Sequence, residues 1–140
     1  MAKILVIGGS GFLGSHVADT LTNQSHEVFI FDLVKSKYLS SSQKMIVGDI
    51  LDKKLIDKSI SKVDYVYHFA AIADIQAAKD NPIESARFNI IGTLNILDAC
   101  KKFNIKRIIF SSSIYVYSNH GSFYRTTKQS CELFIENYLE

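Results

Sequence analysis

Short runs of apolar, β-branched and aromatic residues punctuate the chain at Ile4–Ile7, Val28–Phe31, Lys44–Val47, Tyr65–Phe69 and Arg107–Phe110. They are nearly continuous in apolar residues instead of alternating with period two. That is the pattern of parallel strands covered on both faces. Amphipathic stretches lie between them. Phe12–Leu21 carries apolar residues at 13, 17 and 21, and Leu51–Ile60 carries them at 51, 55, 56 and 60. The longest stretch, Ile83–Phe103, is apolar at 83, 86, 90, 94, 97 and 100, steps of three or four that trace one helix face. Pro82 suits its first turn, where no backbone donor is needed. A last helix is expected over Arg125–Leu139, with Leu133, Phe134, Ile135 and Tyr138 as its apolar contacts. Strands alternating with helices predict an α/β fold with a doubly wound parallel sheet. Right-handed crossovers favour five strands in the order 3-2-1-4-5. The serine- and lysine-containing segment Val34–Ser42 reads as an exposed loop with room for a short helix.

The length of 140 residues bounds the chain to one domain, taken as residues 1–140. With 47% hydrophobic and 21% charged residues it is not a disordered chain, a collagen or a coiled coil. Sixteen basic against fourteen acidic side chains give a net charge of +2. That balance offers no ground for a nucleic-acid or membrane-surface partner. Cys100 and Cys131 form no Cys-x-x-Cys pair and read as free thiols of a reducing compartment. No apolar run approaches the ~18–20 residues of a membrane span. Ile4–Ile7 is too short for the apolar segment of a signal peptide, so a cytoplasmic location is expected.

The segment Gly8-Gly9-Ser10-Gly11-Phe12-Leu13-Gly14 follows the first strand and opens the first helix. In that context a glycine loop acquires a meaning it lacks alone. Gly8 and Gly11 allow a tight turn and a close backbone approach to a phosphate, and Gly14 lets the helix pack near the strand. Free N–H groups and the positive dipole end at the helix start favour a pyrophosphate. Asp32 ends the second strand, where its carboxylate can accept from both hydroxyls of an adenosine ribose and repel a 2′-phosphate. This selects NAD over NADP, although Lys35 and Lys37 nearby could meet such a phosphate. Asp49, after the third strand, is placed to meet an adenine amino group and equally to stabilise a turn before a helix. His16, His26 and His120 lack metal-ligand spacing, so no metal is expected. His68 reads as a packed strand residue.

Several motifs occur in a fixed order: Gly-x-x-Gly-x-x-Gly, Gly48-Asp49-Ile50, His68-Phe69-Ala70-Ala71, Asn81-Pro82, Asn89-Ile90-Ile91-Gly92-Thr93, Ser111-Ser112-Ser113 and Tyr124-x-x-x-Lys128. Together they resemble the extended short-chain dehydrogenase/reductase family, in particular its NAD-dependent sugar-nucleotide epimerases and dehydratases. The resemblance covers nearly the whole chain. It implies a Rossmann-like fold and a nucleotide-sugar substrate, with hydride passed transiently to NAD. Tyr124 would remove the sugar hydroxyl proton, Lys128 would hold the nicotinamide ribose, and Ser113 would hydrogen-bond the reacting oxygen. Tyr124 and Lys128 are four apart and share a helix face. The lysine ammonium and the positive nicotinamide would both favour the tyrosine phenolate, whose unperturbed pKa is near ~10. The expected cofactor contacts are Gly8, Gly11, Phe12, Leu13, Gly14, Asp32, Asp49, Ile50, Phe69, Ala70, Ala71, Asn89, Ser111, Tyr124 and Lys128. Asn89 lies mid-helix, where asparagine is a poor helix former. The resemblance places it near the cofactor; the residue alone reads equally as solvent-facing or capping.

The sequence departs from the family in two respects. Tyr124 follows Ser113 by only 11 positions, a stretch that is longer in most relatives and helps form their substrate pocket. The chain also ends at Glu140, before the C-terminal region with which relatives grip the sugar nucleotide. It therefore reads as a cofactor-binding portion lacking that region. The alternative function is a non-catalytic NAD-binding module or fragment of a longer enzyme. The resemblance further implies a homodimer through helices 83–103 and 125–139, set against the plainer reading that their apolar faces pack on the sheet.

Overall fold

The computed structural model describes residues 1–139. Five parallel strands, β1 (Lys3–Ile7), β2 (Glu27–Asp32), β3 (Lys44–Val47), β4 (Tyr65–His68) and β5 (Arg107–Phe110), form one sheet in the order β3-β2-β1-β4-β5. This is the expected doubly wound, Rossmann-like arrangement. The order reverses beside β1, which pairs with β2 on one side and β4 on the other. Ligands of open α/β sheets bind at the carboxyl ends of the strands at such a point.

Alternate residues of each strand serve opposite faces. Ile4, Val6, Val28 and Ile30 pack with Ala18 and Leu21 of α1 (Phe12–Asn23). Leu5, Ile7, Phe31 and Val66 pack with Ile56 and Ile60 of α2 (Lys53–Ile60) and with Ile96 and Ala99 of α5 (Gly92–Lys102). The strand runs look uniformly apolar because both faces are covered. Asp52 caps α2 by accepting from Leu55 N at 3.0 Å, which explains why this helix begins at Lys53 and not at Leu51.

The helix expected over 83–103 is continuous in helical backbone but not regular. It comprises α4 (Pro82–Ala86), a π-helical turn (Arg87–Ile91) and α5. The extra residue in the π turn rotates the two halves relative to each other. The expected face is consequently corrected in its first half, whereas Leu97 and Cys100 are buried as expected. Ser85, Asn89, Gly92, Thr93 and Ile96 are buried, whereas Ile83 is 79% exposed. Apolar periodicity could not find a buried face made largely of polar and small residues.

The last helix, α6 (Ser122–Leu139), starts one turn earlier than expected. Its buried residues are Thr127, Lys128 and Cys131, while Leu133 and Phe134 are exposed. Two short elements escaped the sequence pattern: α3 (Ile75–Asp80), capped by Asp74, and a 3-10 turn over Ile114–Tyr117, capped by Ser113. Residues 34–42 contain no helix. That loop is tied to α1 instead, by Gln43 Nε2 donating to Asp19 Oδ1 (2.9 Å) and Thr22 Oγ1 (3.1 Å).

Candidate active site and cofactor cleft

A cleft of about 330 Å³ opens at the carboxyl ends of β1, β2 and β4, lined by Gly8, Gly11, Asp32, Ile50, Phe69, Ala70 and Ala71 among others. The glycine loop forms its floor. Gly8 has φ +82°, and a Cβ there would stand 2.5 Å from Ala70 N. Only glycine permits both the left-handed turn and that approach. A Cβ on Gly14 would stand 2.2 Å from Gly8 O, so the start of α1 lies directly on the turn. Gly11 differs, since the nearest atom to a Cβ there is Gly8 O at 3.4 Å. The fold of the chain therefore does not demand glycine at position 11; a molecule close above the loop would. The first helical hydrogen bond runs from Ser15 N to Gly11 O (3.0 Å). The N–H groups of Phe12, Leu13 and Gly14 precede it, and the Phe12 and Leu13 side chains are exposed at the rim.

Asp32 latches the loop. Its Oδ2 accepts from Ser10 N at 3.0 Å and its Oδ1 from Val34 N at 3.2 Å, while Ser10 Oγ donates to Val34 O at 2.7 Å. The carboxylate is held at the cleft edge with lone pairs to spare for further donors. Asp49 accepts from Leu51 N at 2.8 Å, which is the turn-stabilising role. It does not line the cleft, whereas its neighbour Ile50 does and is fully packed beneath Gly92. Lys35 and Lys37 are exposed.

The wall after β4 is fixed from behind by Asn89. Asn89 Oδ1 accepts from Ile72 N (2.7 Å) and Nδ2 donates to Ile72 O (3.1 Å) and Thr127 Oγ1 (3.0 Å). Asn89 is neither solvent-facing nor a helix cap, being 2% exposed in the π turn. Its side chain is committed to the backbone of the Phe69–Ile72 wall, so any effect on a cofactor passes through that wall.

Below it lies a buried polar chain that the sequence pattern did not reveal. Thr93 Oγ1 donates to Asn89 O (2.6 Å) and lies 2.9 Å from His68 Nε2. With its hydrogen used, Thr93 must accept at His68, so the imidazole carries its proton on Nε2. His68 is completely buried, as a packed strand residue should be, and its Nδ1 has no partner among the described residues. Burial and the nearby Lys128 ammonium push its pKa down to about 3, so the ring is neutral. The signal for this chain was present in the buried-strand position of His68 and the helical spacing of Asn89 and Thr93. Only the fold shows that they meet.

Ser113, Tyr124 and Lys128 converge where β5 hands over to α6. Lys128 is 2% exposed, donates from Nζ to Ser111 O at 2.8 Å, and sits 4.6 Å from the Phe110 ring centroid and 5.7 Å from that of Tyr124. Among the described residues no carboxylate lies within ion-pair distance of it. Burial accordingly draws its pKa down to about 8. Tyr124 is half-buried, and burial raises its pKa, with the Ser113 hydroxyl acting in the opposite direction. In the protein without a cofactor desolvation outweighs the Ser113 hydrogen bond. Ser113 Oγ accepts from Tyr115 N (3.3 Å), and Ser111 Oγ donates to His68 O (3.1 Å). No group of metal-binding side chains occurs among the described residues.

Comparison with known proteins agrees with this geometry. Residues 4–134 match the model of the NAD dependent epimerase/dehydratase family. The chain is 35% identical over 114 residues to a putative UDP-glucose 4-epimerase of Methanocaldococcus jannaschii, covering 79% of this chain and 37% of that protein. It is 38% identical over 121 residues to a UDP-N-acetyl-alpha-D-glucosaminuronate decarboxylase of Bacillus cytotoxicus, covering 82% and 37%. A crystal structure of UDP-glucose 4-epimerase from Brucella ovis in complex with NAD superposes with a TM-score of 0.87 at 30% identity, covering 99% of this chain and 48% of that one. The chain thus spans under half the length of these relatives. On the match over residues 4–134, joined to the sheet order and the glycine-floored cleft, it belongs to the NAD dependent epimerase/dehydratase family.

Proposed function

We propose that residues 1–140 form one NAD-binding unit of an epimerase or dehydratase acting on a nucleotide sugar by transient hydride transfer. The observation that carries this reading is convergence. The cleft floored by Gly8 and Gly11 and the group Ser113, Tyr124 and Lys128 both lie at the carboxyl ends of neighbouring strands. The residues present fit NAD. Gly11 leaves open the space a side chain would fill, and the N–H groups at Phe12, Leu13 and Gly14 suit its pyrophosphate. Asp32 would accept from the adenosine ribose, Asp49 would meet the adenine, and Ile50, Phe69, Ala70 and Ala71 would enclose the rings. Lys128 would hold the nicotinamide ribose through Nζ, alongside Ser111 and Tyr124.

Bound NAD would supply the hydride acceptor and donor for a sugar carbon. The chain's own residues manage the accompanying proton. Tyr124 takes the hydroxyl proton of the carbon being oxidised, and Ser113 hydrogen-bonds the same oxygen. Because burial disfavours the phenolate, Tyr124 becomes a competent base only when positive charge stands beside it. Lys128, with a pKa of about 8, is mostly charged at neutral pH. The exposed apolar residues Ile83, Ile91, Leu133 and Phe134 on the two longest helical segments support a homodimer through those helices. Free, buried Cys100 and Cys131 fit a cytoplasmic protein.

A second reading is that these residues bind NAD without turning anything over. Calorimetric titration with NAD and NADP, followed by assay of Tyr124→Phe, separates the possibilities. The expected result is saturable binding, tighter for NAD, with turnover lost by roughly 10²–10⁴-fold in Tyr124→Phe at unchanged NAD affinity. NAD binding without any turnover in the parent chain would establish the module instead. No binding of either dinucleotide would sink both.

A further inference from the structure

The connection from β5 to α6 is short, and α6 itself holds it in place. Lys128 Nζ donates to Ser111 O at 2.8 Å, and Gln129 Nε2 donates to Val116 O at 2.8 Å. A third contact is less expected: Ser112 Oγ donates to Glu132 Oε1 at 2.5 Å. Lys128 and Glu132 are four apart, so the helix grips two successive serines from one face. Glu132 makes no ion pair among the described residues, although Lys128 is one turn away. Its carboxylate is spent on a serine hydroxyl, a charge-assisted bond roughly twice as strong as a neutral one.

These contacts bracket Ser113. Ser111 and Ser112 are pinned before it and Val116 after it. Ser113 lies between them in extended backbone, with φ −146° and ψ 146°. Tyr124 rides on the same helix that supplies the pins, and its ring meets that of Tyr115 edge-on at 6.5 Å. The placement of Ser113 relative to Tyr124 is therefore dictated from α6. Lys128 has work of its own at the cofactor, and Gln129 holds only the far end of the turn. Glu132 is left as the side chain whose sole visible task is to hold the serine turn.

We propose that Glu132 is a positioning residue: by accepting from Ser112 it sets the serine turn so that the Ser113 hydroxyl faces the Tyr124 phenol. This rests on the reading of Ser113 and Tyr124 as the reacting pair, and it assigns an indirect role to a residue that touches neither substrate nor cofactor.

The test is the titration of Tyr124 itself, followed by carbon-13 NMR of labelled tyrosine and assigned by the resonance lost in Tyr124→Phe. Wild type is compared with Ser113→Ala, Ser112→Ala, Glu132→Ala and Glu132→Gln. The Ser113 hydroxyl favours the phenolate, so Ser113→Ala moves the titration upward. Ser112→Ala and Glu132→Ala should move it the same way. Ser112→Ala should add nothing in a Ser113→Ala background, and Glu132→Gln, which keeps the acceptor, should stay near wild type. With UDP-glucose and NAD as the turnover probe, Glu132→Ala should lower kcat roughly ten- to hundred-fold with little change in KM, as a small misplacement does. Should the wild type turn over nothing, the functional reading fails while the titration still decides the positioning role. Should Glu132→Ala not fold, Ser112→Ala removes only a hydroxyl and asks the same question. A Tyr124 titration moved by Ser113→Ala but not by Ser112→Ala or Glu132→Ala overturns the proposal, and so does one indifferent to Ser113→Ala.

Discussion

The two halves of the crevice are built on opposite principles. Around β1 and β2 the site is made by leaving side chains out. Gly8 and Gly11 bring backbone to the cleft, Gly14 packs the helix start against the Gly8 turn, and a single carboxylate, Asp32, holds the loop through two backbone donors. Around β4, the π turn and α6 it is made by burying polar side chains. His68, Asn89, Thr93, Thr127 and Lys128 are each no more than 3% exposed. The glycines of the first half are altered by adding atoms, the polar side chains of the second by removing hydrogen bonds. The glycine half fails by steric conflict with little dependence on pH. The polar half carries a buried neutral histidine and a buried lysine, and so it responds to protons.

The largest effect should come from Gly14→Ala in the first half. Its Cβ would meet Gly8 O at 2.2 Å, Gly9 Cα at 2.8 Å and Gly8 C at 2.9 Å, all of them backbone that cannot rotate away. The expected cost is about 3 kcal/mol in denaturant unfolding, the upper end of the overpacking range, together with loss of NAD binding. Gly11→Ala supplies the contrast. The ordinary van der Waals contact of that Cβ with Gly8 O at 3.4 Å predicts an almost unchanged midpoint but the same loss of NAD binding. If Gly11→Ala bound NAD as wild type does, the cleft floor would not be the pyrophosphate site.

This division also explains what could be read from the sequence. The five strands and their order were legible because uniform apolar runs and right-handed crossovers leave few alternatives. The glycine loop was legible because its signal is contiguous, and steric need is written in residue type. The polar half was only half legible. Tyr124 and Lys128 stood out through their spacing. Leu97 and Cys100, in the second half of the long helix, are buried as expected, but the first half of its face was misassigned. Its buried positions, Ser85, Asn89 and Thr93, look polar, and the π turn breaks the 3.6-residue period that would have revealed them. The pairing of His68 with Thr93 and that of Asn89 with Ile72 join residues 25 and 17 positions apart. Such contacts exist only after the sheet has formed. The desolvation of Tyr124 was not legible for the same reason. Spacing shows a lysine one turn away, but it does not show how much water the phenol has lost.

Acid should act on the polar half through His68. Its pKa in the fold is about 3, below the ordinary 6.5. Between those values the unfolded chain binds the extra proton, so stability is fully present above pH ~6.5 and is lost as pH falls towards ~3. One proton corresponds to a slope of about 1.4 kcal/mol per pH unit. Lys128 is the charged group that faces this ring and stays protonated throughout that window. Glu27, Asp57, Asp64 and Asp98, whose carboxyls are held low, add to the loss only towards the acid end. Above pH ~5 the slope therefore belongs mainly to the histidine. In His68→Gln the acid limb of a melting-temperature profile should flatten between pH 6.5 and 5, although the variant is less stable at pH 7. A limb as steep as that of wild type would mean that other groups govern acid unfolding.

The smallest effect concerns Asp49, which sits on the boundary between the two principles. One of its oxygens is used in the turn, accepting from Leu51 N, and the other is free to accept from an adenine amino group. Asp49→Asn keeps the turn acceptor and replaces the free oxygen by a donor that would face another donor. Stability should therefore change by less than about 0.5 kcal/mol, as for an ordinary surface substitution. NAD affinity should weaken by about 1 kcal/mol, the worth of one hydrogen bond. Equilibrium titration of the variant with NAD and with a nicotinamide mononucleotide lacking the adenine would locate the loss. A weakened affinity for both would place the defect in the loop, whereas no change for either would leave Asp49 as a turn residue alone. The adenine contact requires weaker binding of the dinucleotide together with unchanged binding of the mononucleotide.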